Sequence, residues 1–390
     1  MSSLLPVYNQ LDIKVARAEG KYIWDNSGKR YTDFFSGISV TNLGHRPPEV
    51  IDAIKNITNK YLHISNLFPE KIQEEFSDLL TDRVFPGGSG KIFFSNSGAE
   101  ANECAIKIAR KYFNGDRYVT ITFKNSFHGR TLATLAATGQ KKFREGFGPM
   151  PPGFRNVDFN FLATVEDKID SDTCAVMVEP IQGEGGVIPA RAKFMQGLRE
   201  ICNKKKVLLI ADEIQTGIGR TGRFLGIQNY GVTPDIVTLG KALGGGLPLS
   251  ATVVTENVAE CMEYGDHGST FGGNPIACAA GMATVKKLDK KQLSEVRKKG
   301  EYFKDRLLNI SEKYIEKIQE VRGSGLMLGM ELNIPGKELI NYLLENGYIA
   351  NCTQKKVIRF LPPFVIEKED IDSIVDCIEE YFSIKKEDRL

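Results

Sequence analysis

Short, mostly apolar runs recur along the chain, separated by stretches in which apolar residues return every three or four positions. The runs are Ile92-Phe93-Phe94, Tyr118 to Phe123, Cys174 to Val178, Val207 to Ala211, Ile236 to Leu239 and Leu249 to Val254. Runs of this length, closed by charge or glycine, predict strands buried on both faces, as in an open α/β sheet. The periodic stretches predict helices. Ala101, Ala105, Ile108 and Tyr112 share one helical face, a second helix spans Phe194 to Lys204, and Pro47-Pro48-Glu49 opens a third with Val50, Ala53, Ile54 and Ile57 inward.

The two ends of the chain read differently. Near the start, Tyr22-Ile23-Trp24 and Tyr31 to Phe35 flank Asp25-Asn26-Ser27-Gly28-Lys29, which is hairpin material. From about Asn274 the pattern shifts to long amphipathic helices, with Leu293, Val296, Phe303 and Leu307 among lysines. A strand at Leu326 to Leu332, a helix through Leu339, Tyr342 and Leu343 that stops at Gly347, and a last helix from Ile371 to Phe382 complete it. Between them, Val357-Ile358-Arg359-Phe360-Leu361 sets one arginine inside an apolar strand. A buried unpaired guanidinium is costly, so Arg359 must have a partner or face a site.

Composition narrows the class. The chain has 390 residues, 42% of them hydrophobic, enough for two or more domains. With 51 basic and 49 acidic residues, nothing points to nucleic acid or an anionic membrane as partner. No basic region followed by an apolar core opens the sequence, and no apolar run approaches the roughly 20 residues of a membrane span. Seven scattered cysteines without a C-x-x-C spacing argue against a disulfide framework and against a zinc site, so no metal is expected. The expectation is a cytoplasmic protein with reduced thiols.

The chemistry concentrates at strand ends. Val207 to Ala211 runs into Asp212 and Glu213, and Ile236 to Leu239 ends in Gly240 and Lys241. Neighbouring parallel strands deliver such an acid and amine to one crevice, at the edge where open α/β sheets bind ligands. An acid that keeps a ring nitrogen protonated and a lysine that condenses with an aldehyde are the two parts a protein supplies to pyridoxal phosphate. Ser97 and Glu100 stand at capping-box spacing after the strand at Ile92. The same strand-to-helix turn, Ser97-Gly98-Ala99, offers free N–H groups to a phosphate. Two nucleotide-like motifs fail on inspection. Gly217-Ile218-Gly219-Arg220-Thr221-Gly222 does not sit directly between strand and helix, and Gly87-Gly88-Ser89-Gly90-Lys91 lacks the remaining P-loop positions.

The segment Asp212 to Gly222, followed by Thr233 to Lys241, resembles the class III subgroup of the fold-type I aminotransferases, which moves terminal amino groups. Leu62 to Phe68, Ser126 to Gln140 and Val357 to Pro363 are similar to the acetylornithine-type members, and the likeness runs from Trp24-Asp25 to Pro363. It implies a mostly parallel seven-stranded sheet in a large domain, with a smaller α+β domain. The divisions expected are an N-terminal segment 1–60 packing with the small domain, a pyridoxal-phosphate-binding domain 61–274 and a small domain 275–390.

By the same resemblance, Lys241 holds the cofactor aldehyde, Asp212 faces the ring nitrogen, and Ser97, Gly98 and Ala99 cup the phosphate. Phe127 and Ile214 pack on opposite ring faces, and Gln215 bonds the phenolic oxygen. Thr270 reaches the phosphate, and Ser269 the substrate, of a partner copy in a homodimer that shares its sites. Arg130 clamps a substrate carboxylate, and Glu184 pairs with a movable Arg359 that takes the α-carboxylate of glutamate or 2-oxoglutarate. The implied activity is ping-pong transfer from N-acetylornithine to 2-oxoglutarate in arginine synthesis. Ornithine, succinylornithine, 4-aminobutyrate and succinyl-diaminopimelate are the competing amines. A binding protein that kept the fold without turnover is the competing class, against which the joint presence of Asp212, Gln215, Lys241, Arg130 and Arg359 speaks.

Overall fold

The structure, a computed structural model, describes residues 3–387. Its apolar runs assemble into a seven-stranded sheet in the order Gly90–Ser95, Ser250–Thr255, Ile236–Leu239, Leu208–Asp212, Thr173–Val178, Val119–Phe123, Phe154–Val157. Leu208–Asp212 pairs in parallel with both neighbours, and Asp212 lies opposite Thr238. Within this sheet one strand is reversed: Ser250–Thr255 runs antiparallel to Ile236–Leu239 and to Gly90–Ser95. The central strands are buried along their whole length, as a sheet covered on both faces requires.

Alternation along Leu208–Asp212 assigns the two faces. Leu208 and Ile210 pack with Ala105 and Ile108 of the helix Gly98–Tyr112. Leu209 and Ala211 join Phe194, Leu198 and Cys202 of the helix Ala192–Lys205 in the main core. Successive side chains of a strand point to opposite faces, so one strand serves both layers.

Two four-stranded sheets lie beside this core. Ile318–Ser324, Met327–Leu332, Val357–Phe360 and Asn351–Thr353 form an antiparallel sheet in that order. Val296, Phe303 and Leu307 of the helix Lys290–Lys313 pack with Leu328, Met330 and Phe360 of that sheet. Val15–Glu19, Tyr22–Asp25 and Arg30–Asp33 make an N-terminal meander, and Tyr348–Ile349 adds to it in parallel beside Arg30–Asp33.

Arg220 ties these parts together. It is fully buried and has no carboxylate partner among the described residues. Its guanidinium donates to Ser39 Oγ at 2.9 Å, to Asn42 Oδ1, and to the carbonyls of Leu326 (2.9 Å) and Pro362 (2.7 Å). Burial pushes its pKa down to about 9. No helix among the described residues is long and apolar enough to cross a membrane.

Candidate active site

Four strand ends and one helix start converge on a cavity of about 380 Å³ lined by Ser97, Gly98, Ala99, Phe127, Arg130, Glu179, Glu184, Asp212, Ile214, Gln215 and Lys241, with His128 and Gly129. The helix Gly98–Tyr112 opens at this cavity with Ser97 as its N-cap, whose hydroxyl accepts the Glu100 N–H at 3.3 Å. Glu100 reaches back as a capping box requires, but to the N–H of Asn96 (2.6 Å) rather than that of Ser97. The first N–H groups of a helix have no acceptor within it, and its dipole favours an anion there. Ser250 pins this turn from below: its hydroxyl meets Ser95 Oγ at 2.7 Å and donates to the Ser97 carbonyl at 2.7 Å.

Asp212 is buried at the end of its strand. Its Oδ2 accepts from Asn102 Nδ2 at 2.9 Å and lies 2.7 Å from His128 Nδ1. Oδ1 takes only a long bond from the Ile214 N–H, 3.2 Å, which leaves it able to accept another donor. Burial works against a charged His128, but its bond to Asp212 and the charges of Asp212 and Glu179 outweigh this and raise its pKa. Its Nε2 is buried without a partner among the described residues. Glu179 is buried nearby, takes the N–H groups of Phe127 (2.9 Å) and Gly183 (3.3 Å), and is pushed up by that burial to about 7.

Lys241 enters from the next strand with its backbone at φ 47°. That left-handed conformation costs a non-glycine residue about 1–3 kcal/mol and is kept where surrounding structure enforces it. Burial holds its amine below the usual lysine range, while the charge of Glu184 pulls the other way.

Glu184 and Gln215 of the lining lead to a buried ion pair. Arg359 is buried to 1% exposure and donates to Glu184 Oε1 at 2.5 Å, to Gln215 Oε1 at 3.3 Å and to Asn351 Oδ1 at 3.1 Å. Burial alone would raise Glu184, but the charges of Arg359 and Lys241 outweigh it and lower its pKa. Arg130, in contrast, is exposed, lies 5.6 Å from the Phe127 ring and 4.3 Å from the Phe143 ring, and has no carboxylate partner among the described residues.

Three residues singled out in the sequence are not part of this lining: Arg359, described above, and two on another loop. Thr270 is exposed and Ser269 half-buried, in a loop tied to the 62–73 segment. Asn66 donates to the carbonyls of Ser269 (3.0 Å) and Gly272 (2.9 Å), and Gln73 to that of Gly273. The His63 ring lies 5.4 Å from that of Phe271 on the same loop, tilted by 54°. Conversely, Asn102, His128 and Glu179 belong to the site without having been singled out in the sequence. They sit in recognisable segments, but their burial and pairing depend on contacts such as that between His128 and Asp212, 84 positions apart.

The donor set fits a flat phosphorylated pyridine: an acid with a free oxygen, a buried amine, a helix start, and two apolar side chains, Phe127 and Ile214, on the lining. Two glycines let the backbone lie close against the Ile214 and Gln215 side chains. A Cβ on Gly98 would lie 2.8 Å from Ile214 Cδ1, and one on Gly183 would lie 2.0 Å from Gln215 Oε1.

Residues 6–382 match the family Aminotransferase class-III, and the chain belongs to it: it is a pyridoxal-phosphate-dependent transferase of fold type I. The acetylornithine aminotransferase of Methanocaldococcus jannaschii is 45% identical over 388 residues, 98% of this chain and 96% of that protein. Among solved structures, the ornithine aminotransferase of Toxoplasma gondii, crystallized in the presence of oxidized glutathione and with partial occupancy of PLP at its active site, aligns with a TM-score of 0.93 at 33% identity, over 98% of this chain and 93% of its own. The acetylornithine aminotransferase of Elizabethkingia anophelis aligns with a TM-score of 0.85 at 34% identity, over 96% of this chain and 95% of its own.

Proposed function

We propose that this chain moves the terminal amino group of N-acetylornithine to 2-oxoglutarate, the transamination of arginine synthesis. The observation that carries the reading is the contrast between two arginines, one lining the cavity and one bonded to its lining residues Glu184 and Gln215. Arg130 is exposed and unpaired, whereas Arg359 is buried and neutralised by Glu184. A donor that reacts at its terminal amine keeps its carboxylate far from the reacting carbon, where Arg130 receives it. An acceptor that reacts next to its own carboxylate needs Arg359, and Glu184 must give way.

The other roles follow from placement. When bound, the cofactor supplies an aldehyde for the amine and a protonated ring that accepts electrons. Asp212 faces the ring nitrogen with Oδ1, held by His128 and Asn102. Lys241 Nζ, which burial makes easier to deprotonate, takes and returns the proton of the substrate carbon. Ser97, Gly98 and Ala99 hold the phosphate, Phe127 and Ile214 the ring faces, and Gln215 the phenolic oxygen. N-acetylornithine and ornithine compared as donors to 2-oxoglutarate test the substrate. A kcat/KM at least about tenfold higher for N-acetylornithine is expected, because ornithine would bring a charged α-ammonium beside the Arg130 guanidinium, a repulsion of about 1 kcal/mol or more. Preference for ornithine overturns the reading.

The site is shared in a homodimer. Around the 267–274 loop Leu67, Phe68 and Phe271 are 89%, 63% and 60% exposed, an apolar rim of the kind that marks an interface. Thr270 and Ser269 on this loop complete the cavity of the second copy. Light scattering at micromolar protein should give twice the chain mass. We divide each copy into segment 1–60, large domain 61–274 and small domain 275–390. Seven free cysteines, five of them buried, fit a reducing cytoplasm.

A further inference from the structure

We infer that Asn351 is the pivot on which Arg359 is held when Glu184 releases it, and that it thereby positions the α-carboxylate of the acceptor. This rests on the role given to Arg359 above.

Asn351 and Arg359 face each other across the antiparallel pair Asn351–Thr353 and Val357–Phe360. Their side chains meet at 3.1 Å between Oδ1 and the guanidinium Nε. On the other side of Arg359 the paired residue is Gly329, which has no side chain to offer. Of the three side chains that hold Arg359, Glu184 contributes the only charge, through NH1, and Gln215 shares that same nitrogen. Asn351 alone takes Nε. With Glu184 withdrawn, Arg359 stays buried, and a carboxylate must replace the lost one because a buried unpaired charge is costly. A guanidinium fixed at Nε presents NH1 and NH2 as a fork, the geometry that binds a carboxylate in bidentate fashion.

The same hairpin also grips the other half of the pair. Thr353 Oγ1 and Gln354 Nε2 donate to the Glu184 carbonyl at 2.9 and 2.6 Å. Glu184 is therefore held by its backbone while its side chain is left to move, and Arg359 by its Nε while its fork is left to bind. One hairpin supplies both anchors.

Two variants of the holoenzyme test this, with each half-reaction followed separately by the absorbance of the bound cofactor. Asn351→Ala removes the anchor. Asn351→Asp keeps the shape but gives Arg359 a permanent carboxylate. In both, kcat/KM for 2-oxoglutarate should fall about tenfold or more, through KM, and further in Asn351→Asp, as expected for one bond to a charged group. The N-acetylornithine half-reaction should stay within about twofold, since that donor does not use Arg359. Equal losses in both half-reactions would make Asn351 a structural residue, and no loss in either would make it idle; both results overturn the inference. Should Asn351→Ala fail to fold, the isosteric Asn351→Asp carries the test. A wild-type protein that runs neither half-reaction overturns the functional reading and this role with it, whereas parallel losses in a competent enzyme overturn only the role of Asn351.

Discussion

His128 Nδ1 lies 2.7 Å from Asp212 Oδ2, with both groups buried in the wall between the helix Gly98–Tyr112 and the central strands. The imidazole has no other hydrogen-bond partner for its ring nitrogens among the described residues, so its polar function in the site is to hold this one carboxylate. Replacing it by phenylalanine keeps the volume and deletes the bond. His128→Phe should lower kcat about ten- to hundredfold, the range for a lost bond to a charged group. Circular dichroism should show an intact fold, and an unchanged kcat would show that Asn102 suffices to orient Asp212.

Glu184→Ala should free Arg359 in the resting site. We expect use of α-amino acids such as glutamate to improve relative to N-acetylornithine, by about tenfold in the ratio of kcat/KM values, because a competing charge contact is gone. Equal losses for both kinds of substrate would count against a switch.

Gly98→Ala places a methyl group 2.8 Å from Ile214 Cδ1 and 2.9 Å from its Cγ2. Ile214 must then shift into the cavity. Overpacking of this kind costs about 1–3 kcal/mol, and here it should weaken cofactor affinity about tenfold or more, read by titration of the apoenzyme. Unchanged affinity would mean that Ile214 does not face the ring.

Glu213 turns away from the cavity and accepts the N–H groups of Gly226 (2.8 Å) and Ile227 (2.7 Å) and the Thr216 hydroxyl (2.5 Å). Burial, reinforced by the charge of Asp212, pushes it from 4.5 up to about 7. An unfolded chain loses this proton near the lower value and the native chain near the higher one. Between them the native state binds more protons, so this group's contribution to stability falls as pH rises. Glu213→Gln carries no such proton. Its melting temperature relative to wild type should therefore climb between pH 5 and pH 8, and a constant gap would refute the shift.

Arg220→Met should destabilise the protein by about 3 kcal/mol or more, since Ser39, Asn42 and the carbonyls of Leu326 and Pro362 each lose a buried donor. Denaturant titration checks this. A loss below about 1 kcal/mol would mean that water replaces the guanidinium.

The central sheet was legible because its strands are buried on both faces and therefore uninterrupted by charge. The run Val207 to Ala211 is in the structure a strand from Leu208 to Asp212, whose last residue still pairs opposite Thr238. Elements that are short, polar or at an edge escaped. Phe154–Val157 holds an arginine and an asparagine in four residues, and Ile318–Ser324 alternates apolar with charged positions too weakly to stand out. The helix Lys71–Val84 carries a legible pattern of its own: Phe76, Leu80 and Val84 recur at four-residue spacing and are its buried face.

At the site, Glu184 stood out only through the family resemblance, whereas Lys241 and Asp212 announced themselves by charge at strand ends. Arg359 did so by charge within an apolar run. Arg220 did not. It sits in a glycine-rich segment where local sequence favours an exposed turn, and only the meeting of Ser39, Leu326 and Pro362 around it makes it one of the most deeply buried side chains.

The reversed strand Ser250–Thr255 shortens the path between the two ends of the site. The segment after Lys241 folds straight back into its own sheet, and the first residue of that return, Ser250, bonds the turn that opens the helix at Gly98. Opening of the Lys241 segment is therefore expected to carry the Ser97–Ala99 turn with it, as one cooperative unit. Amide exchange around residues 97–99 and 240–244 should slow together when the cofactor is added, by the same factor.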